Sequence, residues 1–184
     1  KGSGANSYLT AVTRVDEKLV EIIDVEKVLS EVAGVTEEIS EEIIDESNVF
    51  SGANILVADD SSVARRQIKR TLDQLGIEST LVNDGQEALD ILVDWSKEDP
   101  KIAEHLTMVI SDVEMPNMDG YTLTTEIRKN PLLKDLYIIL HTSLSGVFNT
   151  AMVEKVGANK FIPKFNADEL AGAVLEAVAM KDEQ

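Results

Sequence analysis

Two adjacent carboxylates, Asp59 and Asp60, end the apolar run Ile55-Leu56-Val57-Ala58, and a third, Asp112, ends the run Met108-Val109-Ile110-Ser111. If the two runs are neighbouring strands, the three acids converge. Like charges about 4 Å apart at an effective dielectric near 20 repel by roughly 4 kcal/mol per pair, so a cluster of this kind needs a cation to offset it. A hard divalent ion such as Mg²⁺, which takes carboxylate, carbonyl and water oxygens in an octahedron, is the natural candidate. The competing reading is that each Asp caps the helix after it. A single Asp suits the cap; a doublet plus a third suits the metal site. Thr142 lies beyond the run Tyr137-Ile138-Ile139-Leu140, and Lys164 follows Phe161-Ile162-Pro163. Taken singly, these are a capping hydroxyl and a solvated strand end. Taken with the acids they form a coherent set, because an Asp carboxylate acts as a nucleophile toward phosphorus when a metal and cationic donors neutralise the transferring group.

Such a set requires a scaffold that brings strand ends together. From residue 54 onward short apolar runs alternate with longer helical stretches, the pattern of βα units and a parallel sheet. The runs predict strands at 54–58, 78–82, 107–111, 137–141 and 160–163. Helices are expected at 62–75, 86–95, 121–129, 146–156 and 168–180, with Gly157 as a C-terminal stop. In such folds ligands bind outside the carboxyl ends of the strands, which is where all five polar residues fall. Residues 95–106 lengthen one connection, and the sequence suggests no role for them beyond a surface excursion.

The first part of the chain differs. Residues 1–50 hold 4 basic and 12 acidic side chains, against 17 and 34 in all 184 residues, for a formal charge of -17. Residues 8–15 and 18–23 are β-branched and partly alternating about Asp16-Glu17, which predicts a hairpin. From Asp24, the residues Val25, Val28, Val32, Val35 and Ile39 recur at helical steps, and a linker is expected at 47–53. Net acidity disfavours sequence-independent binding to nucleic acid or anionic lipid. With no cysteine, thiolate metal sites and disulfides are excluded, and no apolar run reaches the roughly 18 residues needed to cross a bilayer, so a cytoplasmic setting without membrane insertion is expected. The opening Lys1-Gly2-Ser3-Gly4 reads as that of a processed or excised piece, and residues 1–7 are set aside.

The Asp59-Asp60 doublet, Asp112 within Ser111-Asp112-Val113-Glu114-Met115-Pro116-Asn117-Met118-Asp119-Gly120, Thr142 and Lys164 occur in the order found in receiver domains of response regulators. Over about residues 53–182 the chain resembles that family. The resemblance implies a doubly wound α/β fold with five parallel strands in the order 2-1-3-4-5, preceded here by the hairpin and a helical segment. It further implies Asp112 as phosphoacceptor, with Asp60, Asp112 and the Glu114 backbone carbonyl on Mg²⁺ and Asp59 acting through water. Thr142 and Lys164 would hold the phosphoryl oxygens, and Phe161 is similar to the family's switch aromatic, ordinary core packing being the alternative. Phe165 follows Lys164 where the family usually has Pro, so the customary cis peptide is not expected there. Pro163 in the last strand fits a sheet edge.

The stretch from Tyr8 to Leu29 resembles the closing strands and helix of a CheW-like coupling domain. This suggests a division into a coupling-domain remnant (1–33), an acidic helical linker (34–52) and a receiver (53–184). Joined in that order, the parts are similar to CheV-type chemotaxis coupling proteins, which implies a scaffold between chemoreceptors and their histidine kinase. Unpaired strand edges in the remnant predict self-association through the hairpin. Two other classes stay open: an Asp-nucleophile phosphatase of the haloacid-dehalogenase type, and a receiver that is never phosphorylated and serves only as a scaffold. Glu114 rather than Asp two residues after Asp112 speaks against the phosphatase. His105 and His141 are read as surface or packing residues. The basic cluster Arg65, Arg66, Lys69 and Arg70 is read as a docking or ion-pair face rather than a nucleic-acid patch.

Overall fold

The computed structural model describes residues 9–16, 18–23, 28, 39–40, 43, 53–142, 155–164 and 166–182. The chain divides into two units, Lys1–Val35 and Thr36–Gln184.

In the first unit, β1 (Leu9–Val15) and β2 (Lys18–Ile23) pair antiparallel, with an irregularity between Leu9 and Ala11. The turn is made at Asp16, whose φ of 49° is one that Asp tolerates better than most residues. This is the expected hairpin. Val15, Leu19 and Ile23 remain 54%, 63% and 56% exposed. A two-stranded ribbon with its apolar side chains in water is marginal by itself. Most of the helical segment expected from Asp24, and of the linker at 47–53, lies outside the described residues.

The second unit begins its sheet with β3 (Asn54–Ala58), followed by α1 (Ser62–Gln74) and β4 (Glu78–Val82). Then come α2 (Gly85–Glu98), a single turn α3 (Ile102–His105), β5 (Met108–Ser111), α4 (Gly120–Lys129) and β6 (Tyr137–Thr142). The last elements are β7 (Lys160–Pro163) and α5 (Ala167–Asp182). The five strands from β3 onward are all parallel, in the order β4-β3-β5-β6-β7. This is the 2-1-3-4-5 arrangement expected from the sequence. Pro163 sits on the edge strand, where its missing N–H leaves no ladder bond unmade.

Period-two alternation in a strand buried on both sides builds two apolar layers. Ile55 and Val57 join Ile68, Leu72 and Val174 beneath α1 and α5. Leu56 and Ala58 join Leu92, Leu123 and Ile127 beneath α2 and α4. Side-chain caps start the helices. Ser61 accepts from Ala64 N–H, Asp84 from Glu87 N–H and Asp119 from Thr122 N–H, each satisfying a donor the helix leaves open. Helix α2 runs three residues beyond the expected Trp95 and stops at Asp99, which Pro100 holds in an extended conformation. The expected helix at 146–156 lies outside the described residues except for Lys155 and Val156, which are helical and end at Gly157 with φ +82°. That left-handed conformation is the stop that glycine was expected to supply.

Two ties complete the frame. The Arg128 guanidinium donates to the carbonyls of Gly157, Lys134 and Leu136 and to Asn159 Oδ1, all at 2.8 Å, fastening the turns on either side of β6. Upstream of β3, Ile39 is buried among the residues of the α1 and α5 layer, and Ile43 packs against the same layer. The Ile39 N–H donates to Gln74 Oε1 at 3.0 Å, and the Ser40 N–H donates to Asp168 Oδ1 at 2.9 Å. Part of the expected linker is therefore packed into the second unit. No helix among the described residues is long and apolar enough to cross a membrane.

Truncating Ile39 leaves a cavity in that layer. Ile39→Ala is expected to lower the unfolding free energy of the second unit by about 2–4 kcal/mol, whereas Val12→Ala on the open hairpin should change it by less than about 0.5 kcal/mol. Urea unfolding of the full chain measures both, and an unchanged midpoint for Ile39→Ala would contradict the packing.

Candidate functional site

The pairing of Ala58 with Ser111 sets the carboxyl ends of β3 and β5 side by side. The next residues are Asp59 and Asp112. The Asp112 N–H donates to the Ala58 carbonyl at 2.8 Å, and the Asp59 N–H to the Val82 carbonyl at 3.3 Å, so both acids are held by backbone that prolongs the sheet. One ligand oxygen from each of Asp59, Asp60 and Asp112 lies within 4.8 Å of the others. From the neighbouring strand pair, the Lys164 N–H donates to the Thr142 carbonyl at 3.0 Å, which fixes the end of β7 against that of β6.

The buried Lys164 side chain then reaches across the sheet. Its ammonium donates to Asp112 Oδ2 at 2.9 Å and stands 3.0 Å from Asp59 Oδ2, the second contact being a charge pair without the alignment of a hydrogen bond. Asp112 Oδ1 accepts from Val113 N–H at 2.7 Å, and Asp59 Oδ1 accepts from Ser61 N–H at 2.8 Å. With Ser61 capping α1, Asp59 and Asp60 are released from the capping role that was their alternative. Thr142 is fully buried at the end of β6. Glu114 is exposed on the loop two residues beyond Asp112, and its N–H also supports the Asp112 carboxylate.

Three carboxylates face one ammonium here, and two of the three are out of water. Burial, opposed by Lys164 and reinforced by Asp112, pushes the Asp59 carboxyl up to about 6 from its ordinary 3.8. Burial likewise raises Asp112, with the Lys164 charge and hydrogen bond and the Val113 and Glu114 N–H groups holding it down. Ionised oxygens in excess of positive charge, converging on one point, are the donor set of a hard divalent cation. The residues present fit Mg²⁺.

The remaining expectations fall around this cluster. Phe161 is half-buried and packs with Tyr121, Val156 and Ala158 on Val113 and Leu140. His141 is buried; removal from water, with Lys164 adding to it, lowers its imidazole to about 3, so it stays neutral. His105 is exposed and hydrogen-bonded to Asp99. Phe165 lies outside the described residues, and no peptide among the described residues is cis.

One positioning residue had no role assigned from sequence. A Cβ on Gly120 would stand 2.1 Å from the Asp112 carbonyl oxygen, so the first turn of α4 rests directly on the Asp112 peptide. The Gly120 N–H donates to the Val113 carbonyl at 3.0 Å, and Ser111 Oγ donates to the Asp112 carbonyl at 2.8 Å. The signal was the glycine directly after a helix-capping Asp. A second latch, Asn117 Nδ2 donating to Asp84 Oδ2 at 2.7 Å, ties the loop after Asp112 to the start of α2. Asn117 has a φ of 60°, a conformation Asn reaches at low cost.

Comparison with known proteins agrees with this arrangement. A family model described as the response regulator receiver domain matches residues 55–175. Chemotaxis protein CheV1 of Helicobacter pylori is 29% identical over 175 residues, which is 94% of this chain and 53% of that protein. Chemotaxis protein CheY1 of the same organism is 34% identical over 125 residues, covering 67% of this chain and 94% of CheY1. The crystal structure of Vibrio cholerae chemotaxis protein CheY4 superposes with a TM-score of 0.57 at 28% identity, covering 70% of this chain and 99% of that one. The chain spans about half the length of CheV1 and its like.

The raised Asp59 has a consequence for stability. An acid that binds its proton more tightly folded than unfolded makes stability fall as pH rises from 3.8 through about 6, and the loss is complete above that window. In the absence of divalent cations, Asp59→Asn is expected to stabilise the chain at pH 7 by on the order of 1–3 kcal/mol, with the gain shrinking to nothing near pH 4. Urea titrations at both pH values check this. Gly120→Ala should disturb the site, shifting the Asp112 and Val113 amide resonances well outside the range expected for a helix-start substitution.

Proposed function

Because the chain belongs to the response regulator receiver domain family, we propose that it is a phosphorylation-switched module of bacterial chemotaxis whose Asp112 takes a phosphoryl group from a histidine kinase. The observation that carries this reading is the Lys164 ammonium within 3.0 Å of both Asp59 and Asp112 at the end of the sheet, beside a third carboxylate. Asp112 Oδ2 attacks phosphorus; the new O–P bond forms as the P–N bond of a phosphohistidine breaks, and the electron pair leaves with the imidazole. The Val113 N–H on Oδ1 fixes the rotation of the carboxylate, leaving Oδ2 as the attacking oxygen. Lys164 and the Thr142 hydroxyl then take the phosphoryl oxygens. Asp60, Asp112 and the Glu114 backbone carbonyl would hold Mg²⁺, with Asp59 acting through water, and the ion would supply charge neutralisation at the transferring group. Phe161, packed on the Val113 and Leu140 cluster beyond Asp112, serves as the switch aromatic.

We assign residues 1–33 to the end of a CheW-like coupling domain, 34–52 to an acidic linker and 53–184 to the receiver. The similarity to CheV1 over nearly the whole chain, hairpin included, supports this. The partners on this reading are the chemotaxis histidine kinase and the chemoreceptor array, met in the cytoplasm. The hairpin, with Val15, Leu19 and Ile23 in water, is the surface for self-association.

Incubation with Mg²⁺ and acetyl phosphate, followed by intact-mass measurement, tests the central step. The parent should gain a single phosphoryl group, while Asp112→Asn and a chelator-treated parent should gain none. Repeated turnover of phosphate monoesters would instead indicate the phosphatase, and an unlabelled parent the silent scaffold. Affinity for Mg²⁺ should fall as pH drops below about 6, where Asp59 takes up its proton. In sedimentation, concentration-dependent association is expected for the full chain and should vanish on removal of residues 1–35, which leaves Ile39 and Ile43 in place; equal behaviour of both forms would exclude the hairpin.

A further inference from the structure

The end of α2 and the connection from it to β5 line, with Asn54, Ile55 and Thr80, a half-open cavity of about 260 Å³. It lies at the amino ends of the strands, against Asn54 and Ile55 at the start of β3 and Leu106 just before β5, at the opposite end of the sheet from Asp112. We propose that this cavity binds a small organic cation, a protonated amine on an apolar body.

Its floor is apolar, with Ile55 and Leu106 buried and Ile102 half-buried, and the half-buried Trp95 ring forms a wall. The charged lining is acidic. Asp99 is already occupied: it accepts from Lys101 N–H at 2.9 Å and is hydrogen-bonded to the imidazole of His105. The Glu98 carboxylate, by contrast, has no ion-pair or hydrogen-bond partner among the described residues. Of the neighbouring ammonium groups, Lys97 pairs with Asp94 at 2.7 Å and Lys101 with Glu104 at 3.1 Å, while Lys181 donates to the carbonyl of the lining residue Leu106 at 2.6 Å. A largely apolar pocket lined by one unpaired carboxylate and an indole matches an ammonium on a hydrocarbon, since the aromatic ring and the carboxylate both attract positive charge while the apolar lining buries the body. A metal ion does not match. Among the described residues Asp59, Asp60 and Asp112 are the group of three ligands that converges, whereas Glu98, Asp99 and His105 do not gather into a coordination sphere.

Trp95 is the sole tryptophan of the chain, so its fluorescence and indole N–H resonance report directly on the cavity. Phenethylammonium titrated into the full chain should produce saturable changes in both, with a Kd on the order of a millimolar for so small a ligand. The neutral 2-phenylethanol and the anionic 3-phenylpropionate should bind at least about fivefold more weakly, and Glu98→Gln should bring the cation to the level of the neutral compound without altering the unliganded Trp95 spectrum. Asp112→Asn should bind phenethylammonium as the parent does, which separates this site from the phosphoacceptor cluster. The proposal is overturned if the neutral compound binds as tightly as the cation, if Glu98→Gln leaves affinity unchanged, or if the cation fails to saturate.

Discussion

The interaction on which the second unit turns is that of one buried ammonium with two buried carboxylates. Lys164 reaches Asp59 and Asp112 from the far side of the sheet, so the order of the strands is written into the charge balance. Moving a carboxylate out of water is costly unless a counter-charge meets it, and breaking such a pair strands the remaining charge. Here the counter-charge is incomplete. Two buried acids and a third at the rim share one cation, and burial, only partly opposed by Lys164, raises Asp59 to about 6. A cluster held together only for stability would have no reason to keep that excess. On the proposed function the excess is what a divalent ion would neutralise before a phosphoryl group, itself carrying about -1.5 to -2 charges, arrives.

The reach of Lys164 explains why backbone precision matters at the strand ends. An ion pair at 2.9 Å tolerates little drift, and each participant is fixed by main chain: Asp112 by the Ala58 carbonyl, Lys164 by the Thr142 carbonyl, Asp59 by the Val82 carbonyl. Gly120 adds a support from outside the sheet. With the start of α4 seated on the Asp112 carbonyl, the Asp112 peptide is held by β3 on one side and by a helix on the other.

The elements that set this geometry were legible in the sequence because they carry the strongest signals available. Short apolar runs with Asp, Thr or Lys at or just beyond their ends give both the strands and the polar residues at their carboxyl ends, and the spacing between runs forces parallel crossovers. What escaped was whatever depends on contacts distant in sequence. Ile39 belonged to a helical pattern in an acidic stretch, and nothing in that pattern says it is buried in a layer built from β3, α1 and the distant α5. Residues 95–106 offered no period, so neither the extension of α2 to Glu98 nor the turn at Ile102–His105 could be read, and the cavity they help to line has no local signature at all. Gly120 could be seen but not interpreted, since its role is a distance to another peptide.

The path from the site to the surface follows from the same packing. Val113 serves twice: its N–H holds Asp112 Oδ1, and its side chain is buried with Leu140 against Phe161 and Tyr121. Leu140 pairs in register with Phe161, and Thr142 with Pro163, so β6 and β7 carry the Thr142 hydroxyl, the aromatic ring and Lys164 on one rigid pair of strands. Any chemistry that rotates the Asp112 carboxylate or draws Thr142 toward it must shift Val113, the end of β6, or both. Close-packed side chains have few intermediate arrangements, so on the proposed function a displacement of a few tenths of an ångström there would be taken up at the half-buried Phe161 and Tyr121 rather than by compressing the core. Those two aromatic rings are the half-buried large side chains of the cluster, whereas Val113 and Leu140 are buried.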